Sequence, residues 1–115
     1  MNIDWTTVQV YLKPGPTDMR KQMYTLSVYV VEEMKHNALS GNLYIFCSKN
    51  RRLMKALYWD RNGFCLWQKR LEKDRFPWPR DDEEVMTITR EQFGMILEGI
   101  DFFHAHKTLH YSAVS

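Results

Sequence analysis

The stretch Leu57-Tyr58-Trp59-Asp60-Arg61-Asn62-Gly63-Phe64-Cys65-Leu66-Trp67-Gln68-Lys69-Arg70-Leu71 decides how this chain folds. Asn62-Gly63 stands between two aromatic-rich runs, and a type I′ turn needs φ > 0 at both of its central residues. With those two residues as the loop, Arg61 faces Phe64, Trp59 faces Leu66, Tyr58 faces Trp67 and Leu57 faces Gln68. Side chains alternate along a strand, so one face carries Met54, Ala56, Tyr58, Trp67 and Leu71, interrupted by Lys69. The other carries Lys55, Leu57, Trp59, Leu66, Gln68 and Arg70. The first face reads as a core layer, with Tyr58 and Trp67 expected under the first helix. The second mixes aromatic and basic groups, which suits nucleic acid and equally suits an ordinary half-wet sheet. In this register Lys55 stands opposite Arg70, a like-charge pair that an anion bound between them would relieve.

Upstream of the hairpin, Leu43, Ile45 and Cys47 alternate with Tyr44 and Phe46, giving a strand apolar on both faces. The basic loop Ser48-Lys49-Asn50-Arg51-Arg52 returns it into the strand 53–59, so the centre of the chain reads as a three-stranded antiparallel meander. Earlier still, Val8, Val10 and Leu12 alternate with Thr7, Gln9 and Tyr11, a half-buried strand over 7–12 that Lys13-Pro14-Gly15-Pro16 should stop. Thr17 is placed to cap a helix, with Asp18 in its first turn. Met19, Met23, Leu26, Val30 and Met34 follow at helical spacing for about 18–20 residues, and Tyr24, Val28 and Val31 widen the apolar stripe. A strand from Leu26 to Val31 is the alternative, because its valines are weak helix formers.

Downstream, Phe76-Pro77-Trp78-Pro79 should be an extended, rigid segment, since each proline restricts the residue before it. Asp81-Asp82-Glu83-Glu84 reads as a solvated loop and Val85 to Ile88 as a short strand. Thr89 with Gln92 forms a capping box and Ile88 with Phe93 a hydrophobic staple, starting a second helix whose buried face is Phe93, Ile96, Leu97 and Ile100. Gly99 ends it. The reading is therefore α+β: an antiparallel sheet with a central three-stranded meander, one long helix packed on a face and a second, shorter C-terminal helix. Residues 1–103 form a single domain, and 104–115 read as a frayed tail.

Composition narrows the function. At 115 residues, with 44% hydrophobic and 26% charged, the chain is of globular character and of single-domain size. It has no apolar run of the roughly 20 residues that span a bilayer and no basic-then-apolar leader pattern at Met1-Asn2-Ile3-Asp4-Trp5, so no membrane partner and a cytoplasmic location are expected. Cys47 and Cys65 read as free thiols rather than a disulfide framework. The net charge of +2 hides an asymmetry: nine basic residues against three acidic ones lie between Lys49 and Arg75, while from Phe76 onward three basic residues meet seven acidic ones. A basic middle and an acidic end point to a phosphate-binding surface or to an attraction between neighbouring faces.

Few motifs carry chemistry. His104, His106 and His110 lack an accompanying cysteine or carboxylate cluster, and they read as tail residues rather than metal ligands. Asp18, Asp60 and Asp101 have local uses as helix start, turn acceptor and helix end. No nucleophile triad or phosphate loop is present, so no catalytic residue and no cofactor are expected. Lys13-Pro14-Gly15-Pro16-Thr17-Asp18-Met19-Arg20-Lys21 is more telling, because unsatisfied N–H groups at a helix start beside Lys13, Arg20 and Lys21 form a natural phosphate site. The candidate nucleic-acid contacts are Arg20, Lys21, Arg51, Arg52, Lys55, Trp59, Lys69 and Arg70.

Gly15-Pro16-Thr17-Asp18-Met19-Arg20-Lys21 is followed by Ser40-Gly41-Asn42-Leu43-Tyr44-Ile45-Phe46, then by Trp59-Asp60 and Gly63-Phe64-Cys65-Leu66-Trp67. Lys69-Arg70-Leu71-Glu72, Arg75-Phe76-Pro77-Trp78-Pro79 and Leu97-Glu98-Gly99-Ile100-Asp101 complete an ordered series. Over roughly residues 8–102 this series resembles the small accessory protein of insertion-sequence family sixty-six, the second open reading frame of those bacterial mobile elements, called TnpB there. The chain departs from that pattern at Gln22 and in the short Lys49–Leu53 connection. The resemblance implies a non-catalytic helper encoded beside a separate transposase. Two expectations follow. The chain is a DNA-binding accessory that engages element ends or target through its basic meander and the Thr17 helix start, or it is an adaptor that docks on the transposase through exposed aromatics such as Trp59 and Trp78. A small nuclease is a third, weaker reading.

Overall fold

The computed structural model describes residues 3–103. Its elements, in chain order, are β1 (Val10–Pro16), α1 (Met23–Glu32), β2 (Leu43–Cys47), β3 (Leu53–Asp60), β4 (Gly63–Arg70), β5 (Met86–Ile88) and α2 (Arg90–Leu97). The strands form one five-stranded sheet in the order β4-β3-β2-β1-β5. The expected meander is there, with β2, β3 and β4 antiparallel in sequence. The sheet as a whole is mixed rather than antiparallel, because β1 lies parallel to β2 and antiparallel to β5. Parallel neighbours need a crossover, and α1 supplies it.

β1 does not stop at its prolines. It starts at Val10 and runs to Pro16, with its register against β2 slipping between Leu12 and Pro16. Pairing with β5 ends at Leu12, so the residues that lack an N–H sit where the ladder is already interrupted. Gly15, at φ +73°, donates its N–H to Pro79 O at 3.0 Å, and a Cβ there would fall onto the Cβ of Asp81. The close approach of residues 79–81 to β1 thus depends on glycine.

Thr17 is not a helix cap. Its N–H continues the strand pairing by donating to Cys47 O at 2.8 Å, and the residue is buried. Residues 18–21 form a turn, closed by the Lys21 N–H on Asp18 O, and α1 begins only at Met23, capped by Gln22 without a side-chain bond. At the other end Lys35 turns to φ +59° and the His36 N–H reaches back to Val30 O. The helix therefore has 10 residues, not 18–20.

α1 packs on the sheet face opposite to the one expected. Leu26, Val30 and Met34 meet Tyr44, Phe46 and Leu57, with Phe64 and Leu66 alongside. Tyr24 (78% exposed) and Val31 (52% exposed) do not widen the buried stripe but face away from it. Tyr58 and Trp67 lie on the other face, half-buried with Met54, Ala56, Phe76, Trp78, Phe93 and Ile96, under α2 and the Phe76–Pro79 segment rather than under α1. That segment is extended as expected, but Trp78 is buried and its Nε1–H donates to Lys13 O at 2.9 Å. The capping box of Thr89 and Gln92 opens α2 as its spacing predicts. Ile100, expected in the buried face, is exposed. Among the described residues no helix is long and apolar enough to cross a membrane.

Within the hairpin the register differs by two residues from the expected one. Asp60 pairs with Gly63, Trp59 with Phe64, Leu57 with Leu66 and Ala56 with Trp67, so the loop is Arg61-Asn62. Positive φ falls on Arg61 alone (51°) rather than on Asn62 and Gly63. A shift of two leaves every side chain on its predicted face. It stacks Trp59 edge-on against Phe64 at 5.0 Å and sets Lys55 opposite Gln68 and Arg70 opposite Leu53. The Lys55–Arg70 repulsion therefore does not arise.

Candidate nucleic-acid interface

The sheet puts some of the expected cations onto backbone carbonyls and gathers others at one end, and Arg52 takes part in both. The first group is spent on backbone carbonyls. Lys55 has 2% of its surface exposed, and its Nζ donates to Met19 O at 2.9 Å and Lys21 O at 2.8 Å. Burial pushes its pKa down. It fastens the turn before α1 to the middle of β3, and a buried ammonium so bonded is not a phosphate contact; that expectation is corrected here. Lys69, on the opposite face, donates to Leu97 O at 3.1 Å and ties β4 to the end of α2. A guanidinium N–H of Arg52 donates to Glu72 O at 2.7 Å.

The helix-start phosphate site does not form, because no helix starts at Thr17. Arg20 instead grips the Asp18 carboxylate through two nitrogens, at 2.6 and 3.0 Å, and holds that carboxyl down at about 2. Lys21 sits with its ammonium 5.7 Å from the centre of the Tyr29 ring. Lys13 donates to Pro14 O. Trp59 is half-buried at the hairpin end, and six residues of strand separate it from Leu53, the partner of Arg70. At about 3.3 Å per residue that is roughly 20 Å. Sharing a face does not bring the aromatic and the basic groups together.

The second group gathers at the other end of the sheet. The Ser48–Arg52 turn is built by the Arg51 N–H on Ser48 O and by the Ser48 hydroxyl, which accepts from the N–H groups of Arg52 and Leu53. The chain leaving β4 is stitched to this turn: the Leu71 N–H donates to Arg52 O and the Phe76 N–H to Arg51 O, both at 2.7 Å. Those bonds bring Lys49, Arg51, Arg52, Arg70, Lys73 and Arg75 to one end of the molecule. Lys49, Lys73 and Arg75 were counted in the basic segment of the sequence but not singled out. Their signal was the local charge excess; what sequence could not supply was the pairing of the 51–52 and 71–76 backbones.

Between the Ser48–Arg51 turn and residues 78–81 lies an open cleft of about 290 Å³. Gly15 and Pro16 line it with Ser48, Lys49, Arg51, Trp78, Pro79, Arg80 and Asp81. Arg80 has a long contact to Asp82, 3.8 Å, both side chains exposed. Among the described residues neither Lys49 nor Arg51 has an ion pair or side-chain hydrogen bond. Nor is any group of three or more His, Cys, Asp or Glu side chains there arranged to hold a metal ion. Asp18 is taken by Arg20 and Asp60 stands 3.7 Å from Arg61. His104, His106 and His110 lie outside the described residues.

Comparison with known proteins places the sequence. No solved structure matches the chain. Uncharacterized protein y4hO of Sinorhizobium fredii (strain NBRC 101917 / NGR234) is 38% identical over 101 residues, 88% of this chain and 88% of that protein. Uncharacterized protein y4jC of the same organism is 24% identical over 95 residues, 83% of this chain and 81% of its own length. The profile of the IS66 Orf2-like proteins matches residues 8–107, a span that takes in all five strands, both helices and the basic end of the sheet. The chain belongs to the IS66 Orf2-like family.

Proposed function

We propose that this chain is a non-catalytic accessory protein for transposition of a bacterial insertion sequence, and that it binds DNA, at element ends or target, through the basic end of its sheet. The observation that carries the reading is the set of six cations, Lys49, Arg51, Arg52, Arg70, Lys73 and Arg75, gathered by the stitching of two backbones. Clustered cations of this kind meet phosphates and release counterions. An electrophoretic-mobility titration with element-end DNA at several salt concentrations tests it. The log affinity should fall steeply with log salt, by roughly 0.9 per phosphate engaged. Lys73→Ala with Arg75→Ala should lower that slope by roughly 2 without changing the folded state. A protein that binds no DNA at low salt overturns the reading. In this reading the carboxylates perform no chemistry, and the purified chain should not cut DNA with Mg²⁺ or Mn²⁺.

The second reading, an adaptor that docks on the element's transposase, draws on a different surface from the one the sequence indicated. Trp78 is buried, so it is not available for docking. Met23, Tyr24 and Val31 on α1 are exposed instead.

A further inference from the structure

The cleft beside the basic end has features that general phosphate attraction does not use. At about 290 Å³ it lies near the lower end of the roughly 300–1,000 Å³ of small-ligand pockets, and it is far too small for a double helix, whose major groove alone is about 12 Å wide. Its lining is of two kinds. Lys49, Arg51 and Arg80 bring positive charge, while Pro16, Pro79 and the rim of Trp78 bring flat apolar surface. We propose that this cleft seats one unpaired nucleotide of DNA, at a strand end or overhang. Lys49 and Arg51 hold its phosphate, and its base or sugar lies against Pro16 and Pro79, which are exposed and half-buried respectively. The inference rests on the DNA-binding reading and specifies the form of DNA that it selects.

Two observations favour a nucleotide over an acidic peptide, and a third marks Arg51 as the contact. The cations continue outside the cleft along the stitched backbone, through Arg70, Lys73 and Arg75, so the neighbouring phosphates of the same strand also find partners. Asp81 stands in the lining, where it can accept from a base amino group, a donor that an acidic side chain lacks. Arg51 itself has φ +61°, a backbone conformation that glycine adopts far more cheaply. Lys35 and Arg61 share that conformation, at +59° and +51°, but Arg51 is the one of the three that lines the cleft. Backbone strain kept at a binding surface is retained for the side chain it presents.

The same feature supplies a clean test. Arg51→Gly removes the guanidinium while relieving the backbone, so the fold is preserved. Lys35→Gly is its matched control, with the same loss of charge and the same relief at an exposed position outside the cleft. Fluorescence anisotropy with the full chain would compare three labelled probes: a single strand, a blunt duplex, and that duplex with a short overhang. The wild-type chain should prefer the overhang to the blunt duplex by roughly tenfold, about the low end of what one base contact contributes. Arg51→Gly and Lys49→Ala should erase that preference, whereas Lys35→Gly should keep it. Equal affinity for blunt and overhang probes, or a preference that survives Arg51→Gly, overturns the inference and leaves the DNA-binding reading standing. Failure to bind any probe overturns both, and a labelled acidic peptide that binds the wild-type chain but not Arg51→Gly in that case identifies the other occupant.

Discussion

A lysine ammonium at 2% exposure, with no ion-pair partner among the described residues, has to be held by dipoles, and Lys55 has two of them in the carbonyls of Met19 and Lys21. Lys55→Met keeps the aliphatic stem and removes the donor, leaving two part-buried acceptors short of a partner. The expected loss is about 1–3 kcal/mol, read as a lower midpoint in urea denaturation. DNA binding by the fraction that stays folded should be unchanged. Alkaline pH probes neighbouring burial. Burial raises the Cys47 thiol from 9.0 to about 12, and it raises Tyr44 and Tyr58 as well. A group whose folded pKa is raised contributes stability that is fully present below its unfolded pKa. For Cys47 that contribution is lost as pH climbs from 9 towards 12. Lys55, whose pKa is lowered, works the opposite way, because between its folded pKa and its ordinary 10.5 the unfolded chain holds more protons and stability rises with pH. Cys47→Ala should therefore flatten the loss of stability between pH 9 and 12, measured by denaturation at stepped pH. An unchanged slope would mean that the thiol is not kept from water.

At the scale of the element, the hairpin separates two accounts of the same six letters around Asn62-Gly63. With those residues as the loop, Gly63 would need φ > 0, and alanine there would cost roughly 1–2 kcal/mol. With Arg61-Asn62 as the loop, Gly63 pairs with Asp60 inside the strand, its φ is not positive, and a Cβ meets nothing within 4 Å. Gly63→Ala should then change stability by no more than about 0.5 kcal/mol. Periodicity carried the strand faces correctly from sequence, because a slip of two residues preserves parity, and the capping box located α2 because that signal is wholly local. What periodicity could not carry was non-local. It could not show which face of the sheet α1 covers, that β1 continues past Pro14 beside β2, or that the turn after it holds Thr17 and Lys55 in the interior. The site was legible in the same measure. Charge counting found the basic segment, but burial of Lys55 and the carbonyl contacts of Lys69 and Arg52 depend on which backbones lie side by side.

Among the described residues, the basic end of the sheet and the exposed apolar side of α1 are different surfaces. The cations sit at the end where β2 turns into β3 and the chain leaves β4, whereas Tyr24 and Val31 stand on the outward side of α1. If the proposed DNA contact and the adaptor reading both hold, DNA would occupy the basic end and the protein partner the helix. Counterion release makes the first contact salt-sensitive, while apolar burial keeps its strength as salt rises. Tyr24→Ser with Val31→Ser removes exposed groups only, so stability should move by less than about 0.5 kcal/mol at each site. The double variant should lose capture by the purified transposase while its DNA affinity and salt slope stay as in the wild-type chain. Lys73→Ala with Arg75→Ala should do the reverse, lowering the salt slope and sparing capture. If each pair of substitutions instead weakens both interactions, the two surfaces act as one. If the helix variant captures transposase as well as the wild-type chain does, α1 is not the docking surface, and its exposed stripe has no part in assembling the complex.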